Sequence, residues 1–360
     1  MKQILRLTLS VICYVSFSPV GAQSDRFQCD DSCDPDATGA VKYNVVSPVG
    51  FSTVEPIEMA PRLTTLEGKT IALVGEDFMY NITHPELKRL IKEHYPSAKV
   101  IMYDELPIAG PYPAPGITRQ ATELFRQRLI DLKVDAVIAG NGGCGICTPK
   151  ETGSCIVAEK LGIPSVIVTA PGFDEEARYT ARNCGVPVMR VAVYPGAFAS
   201  HTEEELVRNT QEVTWPQIVA ALTTPITQDE YPSETAVQGI TDDVFHGTLD
   251  EIYAHFKAMS WSDGTPFFPP TYEKVLAYLD YTDHAWDETI AVLPGANRAT
   301  TTWHVAVNAC MAGCKPEYMP ILIAMTKAMG GGDFRRTLQS THAWVPYSWI
   351  NGPVCRQLGI

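Results

Sequence analysis

Five short runs, Thr70–Val74, Lys99–Tyr103, Asp135–Ala139, Pro164–Thr169 and Val188–Val193, constrain the fold more than any other feature, because apolar residues occupy both alternating faces. A strand that is apolar on both faces has to be covered on both, which is the condition of a parallel sheet between two helical layers. The intervening segments carry helical spacing: His84–Glu93, Ile117–Leu132 with Leu124, Phe125, Leu129 and Leu132 in register, about Gly153–Leu161, and Glu175–Cys184. The acidic start Thr202-Glu203-Glu204-Glu205 caps another helix. This β-α order predicts an α/β fold with a doubly wound parallel sheet over residues 66–222, whose ligand sites lie beyond the carboxyl ends of the strands.

Outside that block the pattern changes. Residues 23–65 are rich in Asp, Pro, Ser and Gly without sustained periodicity and read as an extended arm. Residues 223–248 read as a linker. Residues 249–360 read as a second, mainly helical α+β domain, with helices at Leu249–Met259, Tyr272–Leu279, Ala299–Ala312 and Glu317–Met329, and strand character over Ala343–Ile350.

Residues 1–22 have the form of a secretory signal peptide: Lys2 and Arg6, an apolar run from Leu7 to Phe17, then Val20-Gly21-Ala22 before Gln23. A secreted protein with no membrane span after removal of the leader is the expectation. Of ten cysteines, Cys13 leaves with the leader and nine remain, so at least one stays outside an intramolecular pair. Cys29 and Cys33 flank an acidic loop and are expected to form a local disulfide, and Asn81-Ile82-Thr83 is a glycosylation sequon. The charge of −13, without a basic stripe, argues against nucleic acid as a partner.

The third strand runs into Ala139-Gly140-Asn141-Gly142-Gly143-Cys144-Gly145-Ile146-Cys147. A strand, a glycine turn and a helix would place Cys144 at a helix N-terminus, where dipole and free N–H groups favour thiolate. Three readings compete for this CxxC: a zinc site, for which no second CxxC or HxxxH partner occurs; an inert structural disulfide; and a working dithiol. No metal or cofactor is expected. Gly140, Gly142 and Gly145 match a dinucleotide fingerprint in form, but after the third strand and without a suitable acidic residue about 20 positions on. A G-x-S-x-G hydrolase elbow is lacking.

Cys144-Gly145-Ile146-Cys147-Thr148, the stretch Ala158-Glu159-Lys160-Leu161-Gly162-Ile163-Pro164, Val166–Val168 and Phe173 together resemble the UGSC family. Its members place selenocysteine or cysteine, then Gly-Ser-Cys, at this point of a Rossmann-like domain. The resemblance spans roughly residues 66–215 and implies that position 144 is the reactive one and Cys147 its partner. Ile146 departs from the usual serine. Trp261-Ser262-Asp263-Gly264, Pro269-Pro270-Thr271, Asn308–Cys314, Pro316-Glu317-Tyr318 and Asn351-Gly352-Pro353 are similar to domains associated with the family, so the chain looks like a fusion of both parts.

The resulting expectation is a thiol-based oxidoreductase acting on a small molecule, with Cys144 as nucleophile and Cys147 as resolving thiol, and with an external thiol or disulfide as redox partner. Gly142, Gly143 and Gly145 would shape the turn, and Trp261, Asp263, Phe267 and Asn308 the substrate pocket. His342 is the candidate acid or base. A redox-neutral lyase or transferase and a non-catalytic binding protein with structural disulfides are the alternatives.

Overall fold

The computed structural model describes residues 33–35, 40–107, 119–232, 239–331 and 347–360. Its centre is a five-stranded parallel sheet of β4 (Thr70–Val74), β5 (Lys99–Ile101), β6 (Ala136–Gly142), β7 (Ser165–Thr169) and β8 (Val191–Val193). The spatial order is β5-β4-β6-β7-β8. The chain therefore starts in the interior, steps to one side, and returns past its start to the other side. The winding reverses between β4 and β6, and a crevice opens there at the carboxyl edge.

Alternation along the strands feeds two cores. Ala72, Val74, Val137, Ala139 and Ile167 face α2 (Arg119–Asp131), α3 (Cys147–Lys160) and α4 (Asp174–Asn183), with Phe125, Leu129, Ile156, Ala177 and Ala181 packed onto them. Ile71, Leu73, Ala136, Ile138, Val166 and Val168 face α1 (Tyr80–His94), α5 (Glu203–Asn209) and α6 (Trp215–Thr223), through Leu87, Leu90, Ile91, Leu206, Ile218 and Leu222. The capping box that Thr202 and Glu205 form opens α5, as the sequence predicts. This is the Rossmann-like α/β arrangement expected.

The 23–65 arm does more than extend. Within it, β1 (Cys33–Pro35) pairs with β2 (Val41–Val46), and β2 pairs antiparallel with β9 (Asp243–Thr248), which closes the expected linker. A short β3 (Phe51–Ser52) joins β11 (Arg298–Thr301), itself paired with β10 (Thr289–Leu293). Residues 54–63 then run along the α/β unit, where Ile57 N–H donates to Gly185 O and Leu63 N–H to Leu222 O. The Arg62 guanidinium closes on Glu159 at 2.8 Å, both side chains about 1% exposed.

The second unit has four of the expected helices: α7 (Leu249–Ala258), α8 (Tyr272–Leu279), α9 (Thr302–Met311) and α10 (Met319–Met329). Trp303, Val305, Val307 and Ile323 fill one of its cores, and Tyr43, Val45, Ile252 and Phe256 another. The expected helix over 299–312 is shorter because Arg298–Thr301 is strand. Among the described residues, 347–350 of the expected last strand pair with no strand; the preceding 343–346 lie outside the described residues, and a short α11 (Pro353–Leu358) follows. Among the described residues no helix is long and apolar enough to cross a membrane.

Candidate active site

β6 ends at Gly142, residues 143–146 turn, and α3 begins at Cys147. Two glycines in this turn have no room for a side chain. A Cβ on Gly142 would sit 2.9 Å from Thr148 Oγ1, and one on Gly143 would sit 3.2 Å from the Phe78 ring. Gly145 is buried within the turn. Cys144 and Cys147 are joined as a disulfide with Cα atoms 5.3 Å apart. Cys144 is half-buried and Cys147 buried. The Cys147 N–H, first of α3, donates to Cys144 Sγ at 3.0 Å, and Thr148 N–H donates to Cys144 O. The helix-terminus setting expected for Cys144 takes this form: α3 opens three residues later, and the N–H that reaches the Cys144 sulfur is that of Cys147.

The loop after β4 forms the opposite wall. Phe78 and Met79 have φ of 40° and 59°, a left-handed backbone that costs non-glycine residues of order 1–3 kcal/mol each. Asn141 offsets this: its Nδ2 donates to Phe78 O at 2.7 Å and to Thr83 Oγ1 at 2.9 Å. The chain of bonds continues through Thr83 Oγ1 to His84 Nδ1 and from His84 Nε2 to Val74 O. A carbonyl can only accept, so Nε2 carries the proton and Nδ1 accepts. Burial lowers the His84 pKa to about 4, so this imidazole is a neutral strut that sets the Phe78 loop.

Charge gathers behind the turn. Lys150 Nζ lies 2.6 Å from Asp77, 3.0 Å from Glu76 and 3.6 Å from Glu151. Burial works to lower the Lys150 pKa, but hydrogen bonds and charge from Asp77, Glu151 and Glu76 outweigh it, and the net shift is upward. Glu151, 2% exposed, accepts from Glu76 N–H. Burial, with the nearby Asp77 charge, pushes its pKa well above the ordinary carboxylate range, against the pull of Lys150. Four residues separate Cys147 from Glu151, which puts both on one face of α3.

Beside the turn is a cavity of about 300 Å³ lined by Phe78, Gly143, Ala170, Pro171, Phe173 and the Gly196–Ala199 turn. These residues follow β4, β6, β7 and β8, so the cavity occupies the carboxyl edge next to the crossover point. Its walls are almost entirely apolar.

The structure brings Gly142, Gly143, Cys144, Gly145 and Cys147 together and leaves the other expected pocket residues elsewhere. Trp261 packs with Phe267 onto the Tyr43–Phe256 core. Asp263 is exposed and its carboxylate accepts from Thr265 N–H and Oγ1 in a local turn. Asn308 lines a different cavity, together with residues of β10, β11 and α10. His342 and Cys29 lie outside the described residues, and Cys33 is in β1. Asn81 is exposed on the first turn of α1. Cys310 is buried, which raises its pKa to about 11 and keeps the thiol protonated.

Phe78, Asn141, Thr148, Lys150 and Glu151 were missed by sequence reading. The one signal available was the Cys147-to-Glu151 spacing of four, which becomes informative only once α3 is known to start at Cys147.

No curated protein matches the chain significantly. The model of the UGSC family matches residues 44–224, just over half of the chain, from β2 through the whole parallel sheet to the end of α6. The second unit lies beyond the matched span. With its CxxC turn at the expected point of a Rossmann-like sheet, the chain belongs to the UGSC family.

Proposed function

We propose that the protein is a thiol–disulfide oxidoreductase in which Cys144 is the sulfur that exchanges with substrate and Cys147 its resolving partner. The observation that carries this reading is the Cys144–Cys147 disulfide at the sheet crossover, with Cys144 half-buried next to Gly143 of the cavity wall and a helix-terminal N–H on its sulfur. In the closed form the protein is a two-electron oxidant. A substrate thiolate attacks Cys144 Sγ, the Cys144–Cys147 bond breaks, and Cys147 leaves as thiolate. Glu151, one turn along α3 and with its pKa raised by burial, is assigned as the proton donor to that thiolate. A second substrate thiol then attacks the mixed disulfide, releasing Cys144 thiolate, held by the Cys147 N–H. Two substrate thiols become one disulfide, and an external disulfide returns the enzyme to its closed form by the reverse exchange.

The cavity favours a thiol carried on an apolar or aromatic body. This direction also suits an exported protein, and export through the 1–22 leader with a mature start at Gln23 is part of the proposal, as is a glycan on Asn81. N-terminal sequencing and deglycosylation of the protein recovered from the medium test those two points.

The chemical test uses the closed protein, a small aromatic thiol such as benzyl mercaptan, an acid quench and mass analysis. The Cys147→Ser variant, pre-activated by an aromatic disulfide, should retain a mixed disulfide on Cys144, while Cys144→Ser should retain none at residue 147. Equal trapping at both positions, or none at either, overturns the assignment.

A further inference from the structure

A second cavity, of about 470 Å³, is formed where the arm, the second unit and the α/β unit meet. It shares no lining residue with the cavity beside the cysteines. One wall is the Pro48–Gly50 stretch of the arm, others are β10 and β11 with α9 and α10, and Tyr179 of α4 reaches it from the parallel-sheet unit. Its volume falls in the range of roughly 300–1,000 Å³ usual for small-molecule sites. Leu293, Val305, Leu322, Met325 and Met329 make most of the surface apolar.

One group breaks that character. Arg298 opens β11 on the cavity wall, and its Nη1 donates to Gly50 O at 2.7 Å. Among the described residues no ion pair with a carboxylate is formed by Arg298, whereas the half-buried Arg62, Lys150, Arg178 and Arg190 each hold one. A guanidinium presents five N–H donors in a planar fork that matches a carboxylate, and the Gly50 carbonyl takes one side of it only. Thr300, two residues on and on the same wall, adds a hydroxyl.

The neighbouring polar groups sharpen the choice of ligand by being already committed. His304 accepts from Thr301 N–H at Nδ1 and is hydrogen-bonded to the Val49 backbone, and burial lowers its pKa to about 4. The amide hydrogens of Asn308 go to Pro48 O and His304 O, and the Thr326 hydroxyl donates to Leu322 O. One charged fork, with the Thr300 hydroxyl beside it, therefore stands in a largely apolar chamber, which suits a single anionic head better than a multiply charged one.

We infer that this cavity binds a monocarboxylic acid with an aliphatic or aryl body, its carboxylate on Arg298 and its body among the leucines and methionines of β10 and α10. The site is separate from the thiol chemistry proposed above and stands without it.

The test is calorimetric titration of the whole protein with decanoate and with 1-decanol, which has the same chain and no charge. Decanoate should bind, Arg298→Met should weaken it about tenfold or more, and Arg298→Lys should recover part of the loss. Decanol should bind more weakly than decanoate and be indifferent to Arg298. Cys144→Ser should bind decanoate as the parent does. Thermal melts establish that both Arg298 variants are folded. Absence of decanoate binding to the parent protein, or binding equal in the folded Arg298→Met variant, overturns the inference.

Discussion

Replacing Gly142 by alanine perturbs the point where β6 hands over to the cysteine turn. The added Cβ would meet Thr148 Oγ1 at 2.9 Å, Thr148 Cγ2 at 3.2 Å and Thr148 Cα at 3.3 Å. Gly142 is not among the positive-φ glycines, so the cost is steric and not conformational. Overpacking of this kind costs about 1–3 kcal/mol, and the contact with backbone Cα means that a rotamer change alone cannot relieve it. Thr148 is fully buried, and among the described residues its hydroxyl has no hydrogen-bond partner. Thr148→Ala therefore gives up a little apolar burial and sheds an unpaired polar atom, a net change within about 1 kcal/mol. It also removes the two atoms nearest the new methyl. In the Thr148→Ala background, Gly142→Ala should cost less, with a coupling of about 1 kcal/mol or more. Urea unfolding of the parent, both single variants and the double variant under non-reducing conditions measures that coupling. Additive costs, within about 0.5 kcal/mol, would refute the claim that packing of Gly142 on Thr148 seats the start of α3.

Two other perturbations follow from buried charge. Glu159→Gln leaves Arg62 charged and about 1% exposed without its counter-ion, and should lower unfolding stability by about 3–5 kcal/mol in denaturant titrations; a loss below about 1 kcal/mol would contradict the pairing. Glu151 has a raised pKa in the folded chain, so the unfolded chain ionises first as pH rises from about 4. Its contribution is thus complete at acid pH and declines as pH climbs through the folded value. Stability of Glu151→Gln relative to the parent should rise over that window, by about 1.4 kcal/mol for each tenfold difference in proton affinity. A pH-independent difference in melts run from pH 4 to pH 8 would count against a protonated Glu151.

The parallel sheet is legible in the sequence because burial on both faces leaves short apolar runs that alternate with helical segments. The start of α3 is harder to read: Thr148-Pro149 looks like a breaker, yet Pro149 falls in the first turn, where its missing N–H has no intrahelical partner to lose. β2 hides in the arm because its partner β9 lies about two hundred residues away. β10 escapes although Ile290–Leu293 is an apolar run, because it stands alone beside the turn to β11 and outside the repeated β-α order. Within the site, the cysteines and glycines declare themselves by spacing. Phe78 joins them through strand order, which places the ends of β4 and β6 side by side, and Glu151 through its helical spacing from Cys147. The same topology carries Asn308 to a different cavity, although sequence reading had assigned it to the cysteine pocket.

The most direct measurement is differential alkylation of the native protein with peptide mapping, before and after mild reductant. The account predicts Cys144 and Cys147 linked to each other at the outset and both opened by reductant in the folded protein. Cys144, the half-buried one of the pair, should label first, and fully buried Cys155 should stay unlabelled throughout. A crosslink from either sulfur to another cysteine, or a 144–147 bond that yields only on unfolding, would contradict it.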